Sequence, residues 1–244
     1  LTYTQVGEVL EQGNHPQVDK RRVVDLKRLH SLYHVLRAAR DKRGAIDFDT
    51  VETRIIFDEH RKIEAIVPVV RNDAHKLIEE CMLCANVATA RFYDANKLPM
   101  LYRVHEGPNE DKLEGLRKFL GELGLDLGGG AKPTPVHYQH LLLQIAARED
   151  AHVIQTMLLR SLSQAVYQPE NKGHFGLHYD AYAHFTSPIR RYPDLLVHRG
   201  IRHLIRSGGS AKGVLRIDGA KSIPTKQIFP YDIHAMVVNG EHCS

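Results

Sequence analysis

The spacing of apolar residues changes period several times along the chain, and each change marks an element. Val6, Val9 and Leu10 recur at helical spacing behind Thr4, which can accept from the first free amides, and Gly13 ends the run. Over residues 19–43, Leu26, Leu29, Tyr33 and Leu36 again share one side of a helix, with lysines and arginines opposite and Gly44 at the end. The period then changes. Residues 54–57 and 62–70, rich in β-branched side chains, predict a hairpin joined by Asp58, Glu59, His60 and Arg61. A helix over 72–95 follows, capped by Asn72 or Asp73, with Leu77, Cys81, Ala85 and Ala88 inward. A short strand at 101–104 leads to a helix over 109–124, whose first turn carries Glu110 and Asp111, where the helix dipole favours carboxylates. Leu113, Leu116, Leu120 and Leu123 line its inner side.

Residues 128–135 form a glycine and proline connector without the preceding strand that a nucleotide-binding loop requires. Two helices are predicted over 135–148 and 150–167, the second with Val153, Met157 and Leu158 inward, and another over 193–206 with Leu196, Ile201 and Leu204. Residues 207–244 are glycine-rich and read as irregular. Helices and hairpin strands in this order predict an α+β fold, with a mixed or antiparallel sheet core wrapped by helices.

A chain of 244 residues with 43% hydrophobic content can bury a substantial core, in more than the usual single domain without clearly being two. No apolar run is long enough to span a bilayer. The three cysteines are an odd number, and Cys81 and Cys84 sit within a helical pattern, which favours buried thiols in a reducing compartment, the cytoplasm, over a disulfide framework. A single Cys-x-x-Cys is a weak basis for zinc. The sequence shows no internal repeat and no coiled coil; a monomer is expected. The formal charge of +4, with 16 histidines in reserve below neutrality, suits a polyanionic partner. The chain opens at Leu1 without methionine and ends at Ser244 without a closing element, which predicts a piece of a longer polypeptide.

Candidate chemistry concentrates in residues 179–194. Arg190 and Arg191, the rings of Tyr179, Tyr182, Phe185 and Tyr192, and the hydroxyls of Thr186 and Ser187 crowd into one run interrupted by Pro188 and Pro193. Pro188 discourages helix at Ser187, and Pro193 is suited to the first position of the next helix, so the arginines fall on the approach to a helix N-terminus. An anion there meets free amides, a positive dipole end and two guanidinium groups. The other reading is a solvated corner beside core aromatics. Asp180 and Asp194 flank the arginines and are placed to orient them through ion pairs. Asp47 and Asp49, at strand period with Glu52 nearby, admit either a metal site or a structural segment.

The string Ala-His-Phe-Thr-Ser-Pro-Ile-Arg-Arg-Tyr-Pro-Asp-Leu, preceded by His-Phe-Gly-Leu and followed by His-Arg, resembles the signature of the ribonuclease II and ribonuclease R family of 3'-to-5' exoribonucleases, closest to its bacterial ribonuclease R branch. Residues 45–48, 71–80, 85–88, 102–108 and 155–160 are similar to successive blocks of that catalytic domain, in the family's order. The resemblance implies an incomplete ribonuclease II-type catalytic domain over 1–206, with 207–244 as a truncated part of the same domain. It implies processive hydrolysis of single-stranded RNA to nucleoside 5'-monophosphates with two magnesium ions. Residue by residue, it assigns Arg190 to the scissile phosphate, with Arg191 as a less constant partner and Thr186 and Ser187 beside it in the RNA-binding signature. Tyr3 is similar to a tyrosine that stacks on bases near the 3' end. Tyr102 matches an opposing aromatic clamp, with a core-strand residue as the alternative. The family's metal-binding aspartates belong to a segment before the tyrosine matched by Tyr3, so the resemblance places them outside this chain and predicts that the stretch alone is inactive. A non-catalytic RNA-binding module and a metal-independent interaction protein are the other two readings.

Overall fold

Thr2, rather than Thr4, starts the first helix. Its hydroxyl accepts from Gln5 N at 3.2 Å while the Gln5 side chain accepts from Thr2 N at 3.0 Å, a reciprocal cap, and Gly13 at φ 84° closes α1 (Tyr3–Gln12). The computed structural model describes residues 1–48, 53–69, 71–206, 236, 240 and 243. Asp49, Glu52 and nearly all of the predicted irregular tail therefore lie outside the described residues, and the three described tail residues are helical rather than irregular.

Asp19 accepts from Arg21 N at 2.8 Å and opens α2 (Lys20–Arg43). The expected hairpin forms: β1 (Thr53–Phe57) pairs antiparallel with β2 (Ile63–Pro68), Ile55 opposite Ile66, with a register shift between Ile56 and Phe57. Asn72 caps α3 (Asp73–Ala95) by accepting from His75 N at 3.3 Å. Then come β3 (Tyr102–Val104), α4 (Glu110–Glu122) behind its Asn109 cap, α5 (Pro135–Ile145), α6 (Ala151–Ser161), β4 (Val166–Gln168) and α7 (Tyr192–Arg206). The fold is α+β, with seven helices and two antiparallel strand pairs among the described residues.

Two expectations fail on packing. The helix over 150–167 stops at Ser161, and Val166, Tyr167 and Gln168 become β4, Tyr102 pairing with Gln168. Along α6 the inward side is Ile154 and Leu158, both fully buried, while Val153 is exposed, because α6 packs on both α4 and α5. On α3, Ala88 is exposed and the inward positions are Ala74, Leu77, Leu83, Val87, Ala90 and Tyr93, joined by the polar Glu80 and Asn86. Those polar side chains are buried because each has partners, which a hydrophobic period does not register.

The chain divides into two units, Leu1–Arg43 with Asp47–Cys81, and Gly44–Ile46 with Met82–Ser244. In the first, α1 packs on α2 and an ion cluster is buried: Arg40 reaches Glu80 at 2.8 Å, Glu79 at 3.2 Å and Asp47 at 3.0 Å. Burial works against the Arg40 charge, but Asp47 and Glu80 outweigh it and its pKa is raised. In the second unit, Ala90, Tyr93, Met100, Tyr102, Val104, Ala181, Ala183 and Val197 form one core cluster, and the Tyr93 hydroxyl donates to Val197 O at 2.7 Å. Met236 is buried with Leu101 and Leu196. No helix among the described residues is long and apolar enough to cross a membrane.

Candidate nucleic-acid interface

Residues 187–191 form a turn closed by Arg190 N and Arg191 N donating to Ser187 O at 3.2 and 3.0 Å. Pro188, Ile189 and Arg190 ride its outer side, with Ile189 and Arg190 exposed. Helix α7 starts one residue before Pro193, which takes its second position, and Asp194 the third. That places Asp194, fully buried, under the turn, where it accepts from Ser187 N at 2.7 Å and from Arg191 Nη2 at 2.8 Å. The expected ion pair with Asp194 thus forms, and it fixes Arg191; Asp180 is exposed on the preceding loop. Arg190 is exposed to solvent. Three buried polar atoms here have no hydrogen-bond partner: Thr186 Oγ1, Arg191 Nε and Asp194 Oδ2. Buried groups of this kind are rarely left unmet.

Next to the turn lies a tier of rings in which Tyr182 and Phe185, named from the sequence, are joined by Tyr167, His174, His184 and His198, which were not. Asn86 on α3 donates to the Tyr182 hydroxyl at 2.9 Å and accepts from Phe185 N at 2.9 Å, tying residues 182–185 to the helix. Phe185 stacks on His198 at 4.3 Å, and His198 Nε2 donates to Phe185 O. The Tyr167 hydroxyl meets His184 Nδ1 at 2.5 Å, and Arg103 lies 4.6 Å above the Tyr167 ring. Burial, and then Arg191, push the His184 pKa down to about 4. Burial, and then His105, push His174 down to about 3, so both rings are neutral near pH 7. His105 accepts from Gly176 N at Nδ1 and donates from Nε2 to Ser163 O, which fixes its tautomer. No periodicity announces this tier, since its members come from five separate segments; the density of histidine and tyrosine in 174–184 was the available sign.

Of the site residues expected from sequence, Thr186, Ser187, Arg190 and Arg191 come together in the turn. Tyr102 does not join them. It is 6% exposed in the core cluster, and burial, with Asp94, pushes its hydroxyl pKa up to about 12, so its ring has no face open to a base and the core-strand alternative holds in this structure. Tyr3 belongs to the other unit, where it is 46% exposed and stacked on His75. The carboxylates offered for a metal do not assemble: Asp47 is drawn onto Arg37 and Arg40, and no group of three His, Cys, Asp or Glu side chains suited to a cation occurs among the described residues. Asp194 is committed to Ser187 and Arg191. The described residues therefore do not fit a magnesium site.

Similarity to known proteins fits this arrangement. The RNB domain matches residues 1–207. The chain is 59% identical over 206 residues to a ribonuclease R of Vibrio cholerae serotype O1, covering 84% of this chain and 25% of that protein. It is 47% identical over 246 residues to ribonuclease R of Escherichia coli strain K12, covering 100% of this chain and 29% of that one. Among solved structures, Mycoplasma genitalium RNase R in complex with ribose-methylated single-stranded RNA superposes with a TM-score of 0.77 at 33% identity, over 83% of this chain and 32% of that one. The chain thus spans about a quarter of the length of the curated relatives it matches. With one domain family accounting for 207 of 244 residues, and the arginine turn within that stretch, the chain belongs to the RNB domain family.

Proposed function

We propose that this chain is part of a 3'-to-5' exoribonuclease that hydrolyses single-stranded RNA processively to nucleoside 5'-monophosphates. The observation that carries the reading is the turn over 187–191, where Asp194 holds Arg191 and leaves Arg190 exposed at the start of α7. Arg190 grips the scissile phosphate with its guanidinium fork, and α7 adds the positive end of its dipole. Arg191, held by Asp194, adds its positive charge behind the same turn, with Thr186 and Ser187 beside it. Magnesium belongs to this reading through the family resemblance alone, and its ligands come from parts of the parent enzyme other than the described residues. Cys81, Cys84 and Cys243, none of them in a disulfide, suit the cytoplasm.

The experiment is single-turnover digestion of oligoadenylate by the parent enzyme with Arg190→Ala and Arg190→Lys. Each variant is expected to lose about 10²- to 10³-fold in rate, the scale for removing one donor to developing charge, with little change in RNA affinity. Wild-type rates in both remove Arg190 from the mechanism. Wild-type binding in EDTA by a parent enzyme that never cleaves RNA selects the non-catalytic RNA-binding module instead.

A further inference from the structure

We infer that His75 is a positioning residue for Tyr3: together with Asn72 it holds the Tyr3 ring as a preformed platform on which an unpaired RNA base stacks. This rests on the RNA reading above. Tyr3 is the first residue of α1 and His75 lies in the first turn of α3, and their rings are 4.1 Å apart and 15° from parallel. Asn72 Oδ1 lies 2.7 Å from His75 Nδ1 and also accepts the His75 amide, while Asn72 Nδ2 donates to Tyr3 O at 3.1 Å. One side chain therefore sets both the plane of the imidazole and the backbone that carries the phenol. A Cβ on Gly7 would overlap the Asn72 amide, so α1 comes this close only because that position lacks a side chain.

His75 covers one face of Tyr3. The ring, nearly half exposed, also borders a cavity of about 520 Å³ walled by Val6, Leu26, Leu29, Leu77 and Ile78. An apolar cleft beside an aromatic ring takes a flat partner that needs no fixed hydrogen bonds, which describes an unpaired base of any identity. Fixing the ring beforehand removes the ordering cost that a free tyrosine would meet on binding.

The test uses the full-length enzyme and fluorescein-labelled oligoadenylate, with affinity by anisotropy in EDTA and turnover in magnesium. Tyr3→Ala is expected to weaken binding by about tenfold or more, the scale of one lost stack. His75→Ala should weaken it about 3- to 10-fold, with the loss falling on KM rather than kcat, and His75→Phe, which keeps a flat ring behind Tyr3, should recover most of it. In a Tyr3→Ala background, His75→Ala should add nothing. Wild-type affinity in His75→Ala beside a weakened Tyr3→Ala overturns the role of His75 alone, as does an undiminished His75 effect in the double variant. Wild-type affinity in Tyr3→Ala overturns the base-stacking reading of Tyr3 and His75 with it, while leaving the Arg190 result untouched.

Discussion

Acidification from pH 7.5 to 5 is expected to destabilise the unit that contains the arginine turn, through its buried imidazoles. His174 and His184 have native pKa values lowered to about 3 and about 4, and His105 is lowered as well, in each case chiefly by burial. In the unfolded chain the same rings titrate near their ordinary value, about 6.5. Between those limits the unfolded state binds protons that the native state refuses, so the stability contributed is complete above about pH 6.5 and is lost as pH falls toward the native values. The slope is about 1.4 kcal/mol per pH unit for each ring, or about 2 kcal/mol apiece at pH 5 and about 4 kcal/mol for His174 and His184 together. Against a typical domain stability of about 5–15 kcal/mol this is a large share. Urea titrations at pH 7.5 and 5.0, followed by tyrosine fluorescence because the chain has no tryptophan, measure it directly. His184→Gln should shrink the difference by about half. Equal midpoints at the two pH values, or an undiminished difference in His184→Gln, would show that these rings are not held neutral by the fold.

Two further predictions concern charge. Arg40→Ala should cost about 3–5 kcal/mol in urea unfolding, because it leaves the buried Glu80 without its partner, whereas Arg40→Met with Glu80→Leu should recover much of that loss. Asp194→Asn keeps an acceptor for Ser187 N but removes the charge facing Arg191. A loss of about 1–3 kcal/mol and a slower enzyme are expected, measured by the same unfolding assay and by oligoadenylate digestion.

Helices with a single dominant apolar side were legible from spacing alone. The helix over 109–124 appears within two residues of expectation, and the hairpin at Thr53–Pro68 forms from β-branched runs on either side of a charged connection. Where long-range partners decide, spacing misleads. Nothing local distinguishes Val166 and Tyr167 from a helix end until β3 is present to pair with them. On α3, buried Glu80 and Asn86 are explained only by Arg40, some forty residues earlier, and by Tyr182 and Phe185, nearly a hundred later. The candidate site divides in the same way. Arginines beside prolines identify the turn from sequence, but the depth of Asp194, the ring tier behind Phe185 and the burial of Tyr102 follow from packing.

Met236 has a bearing on where this domain stops. The matched family region ends at residue 207, yet the side chain lying over Leu101 and Leu196 comes from nearly thirty positions later, and Gly240 approaches the Tyr167 carbonyl so closely that a Cβ there would lie 3.0 Å from the oxygen. A boundary drawn at residue 207 would take Met236 away from Leu101 and Leu196. Packing here extends past the stretch that the RNB domain matches.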